Sequence, residues 1–147
     1  MNDVARFFRL PASELMEMSF AVMMVPGVAL ALRLVNLRAI RRVIAATSAP
    51  TSMATVSAER ATRIAHLVSA AARRSPVAST CMARALTLHW LLRLRGMESS
   101  LRIGVRKGGE NLEAHLWVEH DGVPLMEGTD PHEAFAPFDA LPARFTR

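Results

Sequence analysis

The 147-residue sequence has a single cysteine, Cys81, a single lysine, Lys107, and no tyrosine. One cysteine excludes an internal disulfide framework and fits a reducing, cytoplasmic setting. It also leaves no paired cysteine–histidine spacing of the kind that builds a structural zinc site. With no tyrosine and no Gly/aromatic RNA-binding motif, the chain lacks the marks of nucleic-acid recognition. There is no internal repeat and no low-complexity tract. Hydrophobic residues make up 51% of the chain, which excludes a disordered polymer. Long apolar runs are missing too. The greasiest stretch, MSFAVMMVPGVALAL from Met18 to Leu32, is shorter than the ~20 residues of a membrane span and is interrupted by Pro26-Gly27. A signal peptide is a poor match, because Glu14 and Glu17 precede the apolar part and no small-x-small cleavage site is well placed. The expectation is a buried helical hairpin, with membrane association of these N-terminal helices as the alternative.

What is present is a basic chain, formally +5, whose positive charge is almost all arginine. Such a balance suits an acidic peptide or partner. The length fits one compact domain able to bury about 70% of its unfolded surface. A Ser/Thr/Ala/Pro-rich stretch, TSAPTSMATVS at 47–57, separates a helical N-terminal region (1–50) from a core (51–147). The first region reads as helices over 12–25 and 28–45. In the second, Ser57 is placed to cap a third helix. Its stripe of Ala61, Ile64, Ala65, Val68 and Ala72 has helical spacing, and Pro76 ends it. A fourth helix starts at Cys81, with Thr80 or Ser79 as cap, and stops at Gly96. The period then becomes two. LRIGVRK (101–107), LEAHLWVEH (112–120) and VPLMEG (123–128) read as antiparallel strands, and 130–147 as irregular. Helices followed by a small antiparallel sheet make an α+β domain.

Cys81 stands at a helix N-terminus, where the dipole and unpaired N–H groups favour a thiolate and can hold an oxyanion. On position alone, burial as a small hydrophobe is the commoner fate of a free cysteine. His115 changes the balance, since a nucleophilic cysteine needs a base and a third group to orient it. Strand alternation puts Trp117 and Glu119 on the side of His115, with Leu116, Val118 and His120 opposite. His66, His89, His120 and His132 compete less well as the base. A metal site is disfavoured because His115 and His120 face opposite ways, and no cofactor motif is present. For the third group, register decides. A two-residue Asp121-Gly122 loop sets Glu127 opposite Leu116, on the wrong face, whereas a three-residue loop sets it beside His115. Asp130 and Asp121 are the other acids nearby, and Asp121 is better explained as a turn residue.

The segments CMARALTLHWLLRLRG, LRIGVRK and EAHLWVEHDGVPLMEG resemble, in order and spacing, the lasso peptide biosynthesis B2 proteins. These are transglutaminase-like leader peptidases with a papain-like cysteine protease core, and the likeness covers about 76–127. It implies Cys81 as nucleophile and His115 as base, with Glu127 in the place of an acid that is more usually aspartate. It also implies partners: a precursor peptide as substrate, a separate leader-binding B1 protein and a lasso cyclase. The competing readings are a transglutaminase-like acyl transferase and a non-catalytic scaffold beside a membrane.

Overall fold

The computed structural model describes residues 11–49, 58–77, 80–109, 111–125 and 131–138. Four helices come first: α1 (Ala12–Leu34), α2 (Leu37–Thr47), α3 (Ala58–Arg73) and α4 (Cys81–Leu94). They are followed by β1 (Ser100–Gly108), β2 (Asn111–His120), β3 (Val123–Leu125), a single-turn α5 (Pro131–Ala134) and β4 (Ala136–Phe138). The sheet is antiparallel in the order β3-β2-β1-β4. The helices-then-sheet α+β class is therefore as the sequence indicates. Ser57 and the acids Glu127 and Asp130 lie outside the described residues.

Three local readings need correction. First, α1 runs unbroken through Pro26-Gly27, and the chain breaks instead at Val35, before Asn36. Proline removes one helical N–H, which orphans the carbonyl of Val22. Val22 is exposed, so water can take that carbonyl. Val25, Val28 and Ala29 then stay buried on one continuous helix. Asn36 makes the real boundary, its Oδ1 accepting from the Ala39 N–H at 2.9 Å. Second, the β2–β3 loop has two residues, not three. His120 pairs with Val123 and Val118 with Leu125. Asp121 (φ 50°) and Gly122 (φ 77°) both take the left-handed conformation of a type I′ turn, whose twist matches a hairpin. The register argument that set Glu127 beside His115 is thereby lost. Third, the segment after 130 is not irregular throughout, since α5 and β4 form there and β4 pairs with β1.

The core has two parts. Met18, Ala21 and Val25 of α1 pack with Ile64 and Val68 of α3, Leu88 and Leu92 of α4, and Leu116, Val118 and Leu125 of the sheet. A smaller cluster joins Val28 and Ala29 of α1 to Ile40 and Ile44 of α2 and Ala83 and Leu86 of α4. The α3 stripe read from spacing, Ala61 to Ala72, is buried throughout. Glu17 is the charged residue sunk among the helices; its Oε1 lies 3.0 Å from Arg60 and 3.3 Å from Arg95. That carboxylate ties α1 to α3 and to the end of α4.

Candidate active site

Thr80 caps α4. Its Oγ1 accepts from the Ala83 N–H at 3.2 Å and its carbonyl from the Arg84 N–H at 3.1 Å. Cys81 is the first helical residue and is half-buried. With the Ala83 and Arg84 donors taken, the N–H groups of Cys81 and Met82 remain at the helix mouth as candidate oxyanion donors. The helix ends as the sequence indicates. Gly96 (φ 70°) donates to the Arg93 carbonyl and Met97 to the Leu92 carbonyl, a Schellman closure that needs the left-handed residue.

His115 lies in the middle of β2, opposite Gly104 of β1. Its ring stacks on Trp117 (centroids 6.1 Å, 20°) and on Phe135 (5.1 Å, 27°). The Arg106 guanidinium lies over Phe135 at 4.8 Å. Gly104 makes the room. A Cβ there would come within 2.8 Å of the Phe135 Cβ and 2.9 Å of the Trp117 ring. Beneath this aromatic layer Glu119 is buried, and it accepts from the Trp117 indole at 2.9 Å and from Arg102 at 3.0 Å. His132 of α5 meets the same carboxylate at 2.8 Å and sets its ring edge against Trp117. One face of β2 thus carries His115, Trp117 and Glu119, as alternation requires. The other carries Leu116 and Val118 into the core shared with α4.

The elements bearing Cys81 and His115 pack against each other, since α4 lies on β2 and β1. No hydrogen bond joins the two side chains among the described residues. A nucleophile and base often come into hydrogen-bond range only once substrate is bound. The competing histidines have other surroundings. His66 is exposed on α3. His120 is buried on the core side, its Nδ1 2.6 Å from the Glu98 carbonyl. His89 is held 2.8 Å from Ser99, and burial, with Arg93 and Arg41 nearby, pushes its pKa down to about 4. His132 is engaged by Glu119. No cluster of three or more metal-ligating side chains occurs among the described residues. Sequence reading missed Phe135 and the Glu119–His132 pair. Alternation already set Glu119 on the His115 face; its partner came from a segment with no readable period.

Residues 24–139 match the model of a family described as the transglutaminase-like superfamily. The match takes in half of α1, all of α2 to α5 and every strand. No curated protein and no solved structure matches the chain.

Proposed function

We propose that this chain, which belongs to the transglutaminase-like superfamily, is a cysteine peptidase that removes the leader from a lasso peptide precursor. The superfamily's chemistry is cysteine-based peptide hydrolysis or acyl transfer. The observation that carries the reading is Cys81 as the first residue of α4, with His115 on the strand against which α4 packs.

In this mechanism His115 takes the Cys81 thiol proton and the sulfur attacks the scissile carbonyl. The Cys81 and Met82 N–H groups hold the oxyanion. The C–N bond breaks, the leaving amine of the core peptide takes the proton from His115, and the leader stays on Cys81 as a thioester. Water, deprotonated by His115, then releases the leader as a free carboxylic acid and restores the thiol. Glu127 is the carboxylate assigned to orient His115, by family likeness alone, with Asp130 as its rival. A B1 protein delivers the leader, and a lasso cyclase receives the new amine. The compartment is the cytoplasm, with the outward side of α1 against a membrane surface.

The test is leader removal by the purified chain with precursor and B1 protein, followed by mass spectrometry. Cys81→Ala is expected to abolish cleavage, and Glu127→Gln to slow it far more than Asp130→Asn. A free leader acid is the expected product; a new leader amide would establish acyl transfer instead. Undiminished cleavage by Cys81→Ala overturns the proposal.

A further inference from the structure

A second site lies away from Cys81, in a cleft of about 200 Å³ between the end of α2 and α4. Its walls are fixed by two bonds. The Trp90 indole donates to Thr47 Oγ1 at 2.8 Å, and the Ala49 N–H donates to the Arg93 carbonyl at 3.1 Å. Arg41, Arg93, His89, Ser48 and Ser99 line it alongside Ile44 and Ala45, with no carboxylate among the lining residues.

Arg60, Arg63, Arg95, Arg102 and Arg106 each meet a glutamate. Arg41 and Arg93 make no ion pair among the described residues. Arg93 also borders a neighbouring cleft containing Glu98, Glu119 and Asp121, yet pairs with none of them. Two arginines therefore line one cavity with no carboxylate paired to either among the described residues. The serine hydroxyls between them are already engaged, which leaves the two guanidiniums as the donors for a guest. Ser48 has its hydroxyl proton on the Ile44 carbonyl at 2.7 Å, and Ser99 lies 2.8 Å from the imidazole of His89. Burial, with these same two arginines adding to it, holds the pKa of His89 down to about 4.

We infer that this cleft is a binding site for an oxyanion, a phosphate or carboxylate group clamped by Arg41 and Arg93. Guanidinium forks suit such planar or tetrahedral oxygens. The site does not depend on the peptidase reading, since none of its residues belongs to the proposed Cys81–His115 machinery. An anion seated there offsets the arginines' share of the lowering, burial being the larger share, so by linkage it raises the pKa of His89 and binds more tightly as pH falls toward that pKa. The charged groups facing His89 in this cleft are Arg41 from α2 and Arg93 from its own helix.

His89 is the natural reporter. The experiment follows histidine ring resonances of the full chain by NMR, assigned with His89→Gln, while inorganic phosphate replaces chloride at constant ionic strength. The expected result is a saturable shift of the His89 signal with a rise in its pKa. Arg41→Gln and Arg93→Gln are each expected to weaken binding by about tenfold or more. Acetate and a glutamate-rich peptide run as parallel arms. A peptide that saturates far below acetate identifies a peptide carboxylate as the occupant, and phosphate binding tighter than both identifies a phosphate group. A His89 response that does not saturate, or that both arginine variants leave unchanged, overturns the site.

Discussion

At the residue scale, the buried carboxylates carry the most consequence. Glu119 is met by a guanidinium, an indole and an imidazole from three directions, and Glu17 bridges two arginines from within the helical core. Removing the charge from a buried, multiply bonded carboxylate leaves its donors unsatisfied, at a typical cost of about 1–3 kcal/mol. Glu119→Gln is therefore expected to lower urea-melt stability by about 2 kcal/mol. An unchanged midpoint would mean that the Arg102 and His132 contacts contribute nothing. His89 gives a pH prediction. Its folded pKa, about 4, lies below the ordinary 6.5. Between those values the unfolded chain binds more protons, so stability from this group is present above pH 6.5 and is lost as pH falls toward 4. Comparing wild type with His89→Gln over that window should show a shallower acid loss in the variant. Much of this scale was legible in sequence. Period-two alternation put His115, Trp117 and Glu119 on one face, and the cap at Thr80 followed from residue type. His132 and Phe135 were not legible, because a single helical turn and a three-residue strand carry too few residues to show any period.

At the element scale, the loop between β2 and β3 shows how little separates two registers. Asp-Gly serves a two-residue type I′ turn and a three-residue loop equally well on paper, and one residue of slip turns every later side chain to the other face. The structure takes the shorter turn, so the three-residue loop that set Glu127 beside His115 is not formed, and Glu127 itself lies outside the described residues. Proline misled in the same local way, because a break rule that holds in isolation yields when the orphaned carbonyl is exposed and both flanks are buried. Gly104 tests the aromatic layer. Gly104→Ala forces a methyl against Phe135 and Trp117, an overpacking cost of about 1–3 kcal/mol. It is expected to lower stability and leader cleavage together; a fully stable, fully active variant would show that this layer yields freely. The outward side of α1 makes a further prediction. Met16, Met23, Leu30 and Leu34 are exposed at heptad-like spacing, and α1 is long and apolar enough to cross a membrane or to serve as a core helix. Glu14 and Glu17 are both engaged by arginines of the core. Vesicles of anionic lipid should retain the chain, and Met23→Glu with Leu30→Glu should release it at unchanged thermal stability. Retention of the double variant would assign binding to another surface.

At the scale of the whole molecule, α1, α3, α4 and the sheet share one hydrophobic cluster that reaches from Met18 to Leu125. The order of elements was readable, because the change from helical to strand period near 100 is sharp. The docking of α1 was not, because an apolar helix has no single face to read. The fold places a cysteine at the head of a buried-faced helix and a histidine on the adjoining strand, and the superfamily match spans both. The central claim is covalent catalysis at Cys81. The most direct measurement is intact-protein mass spectrometry of an acid-quenched reaction with precursor and B1 protein. The account predicts a chain heavier by one leader acyl group, with the adduct mapped to Cys81 and absent from Cys81→Ala and His115→Ala. Rapid leader release by Cys81→Ala, with no adduct on the wild-type chain at any time, would contradict it.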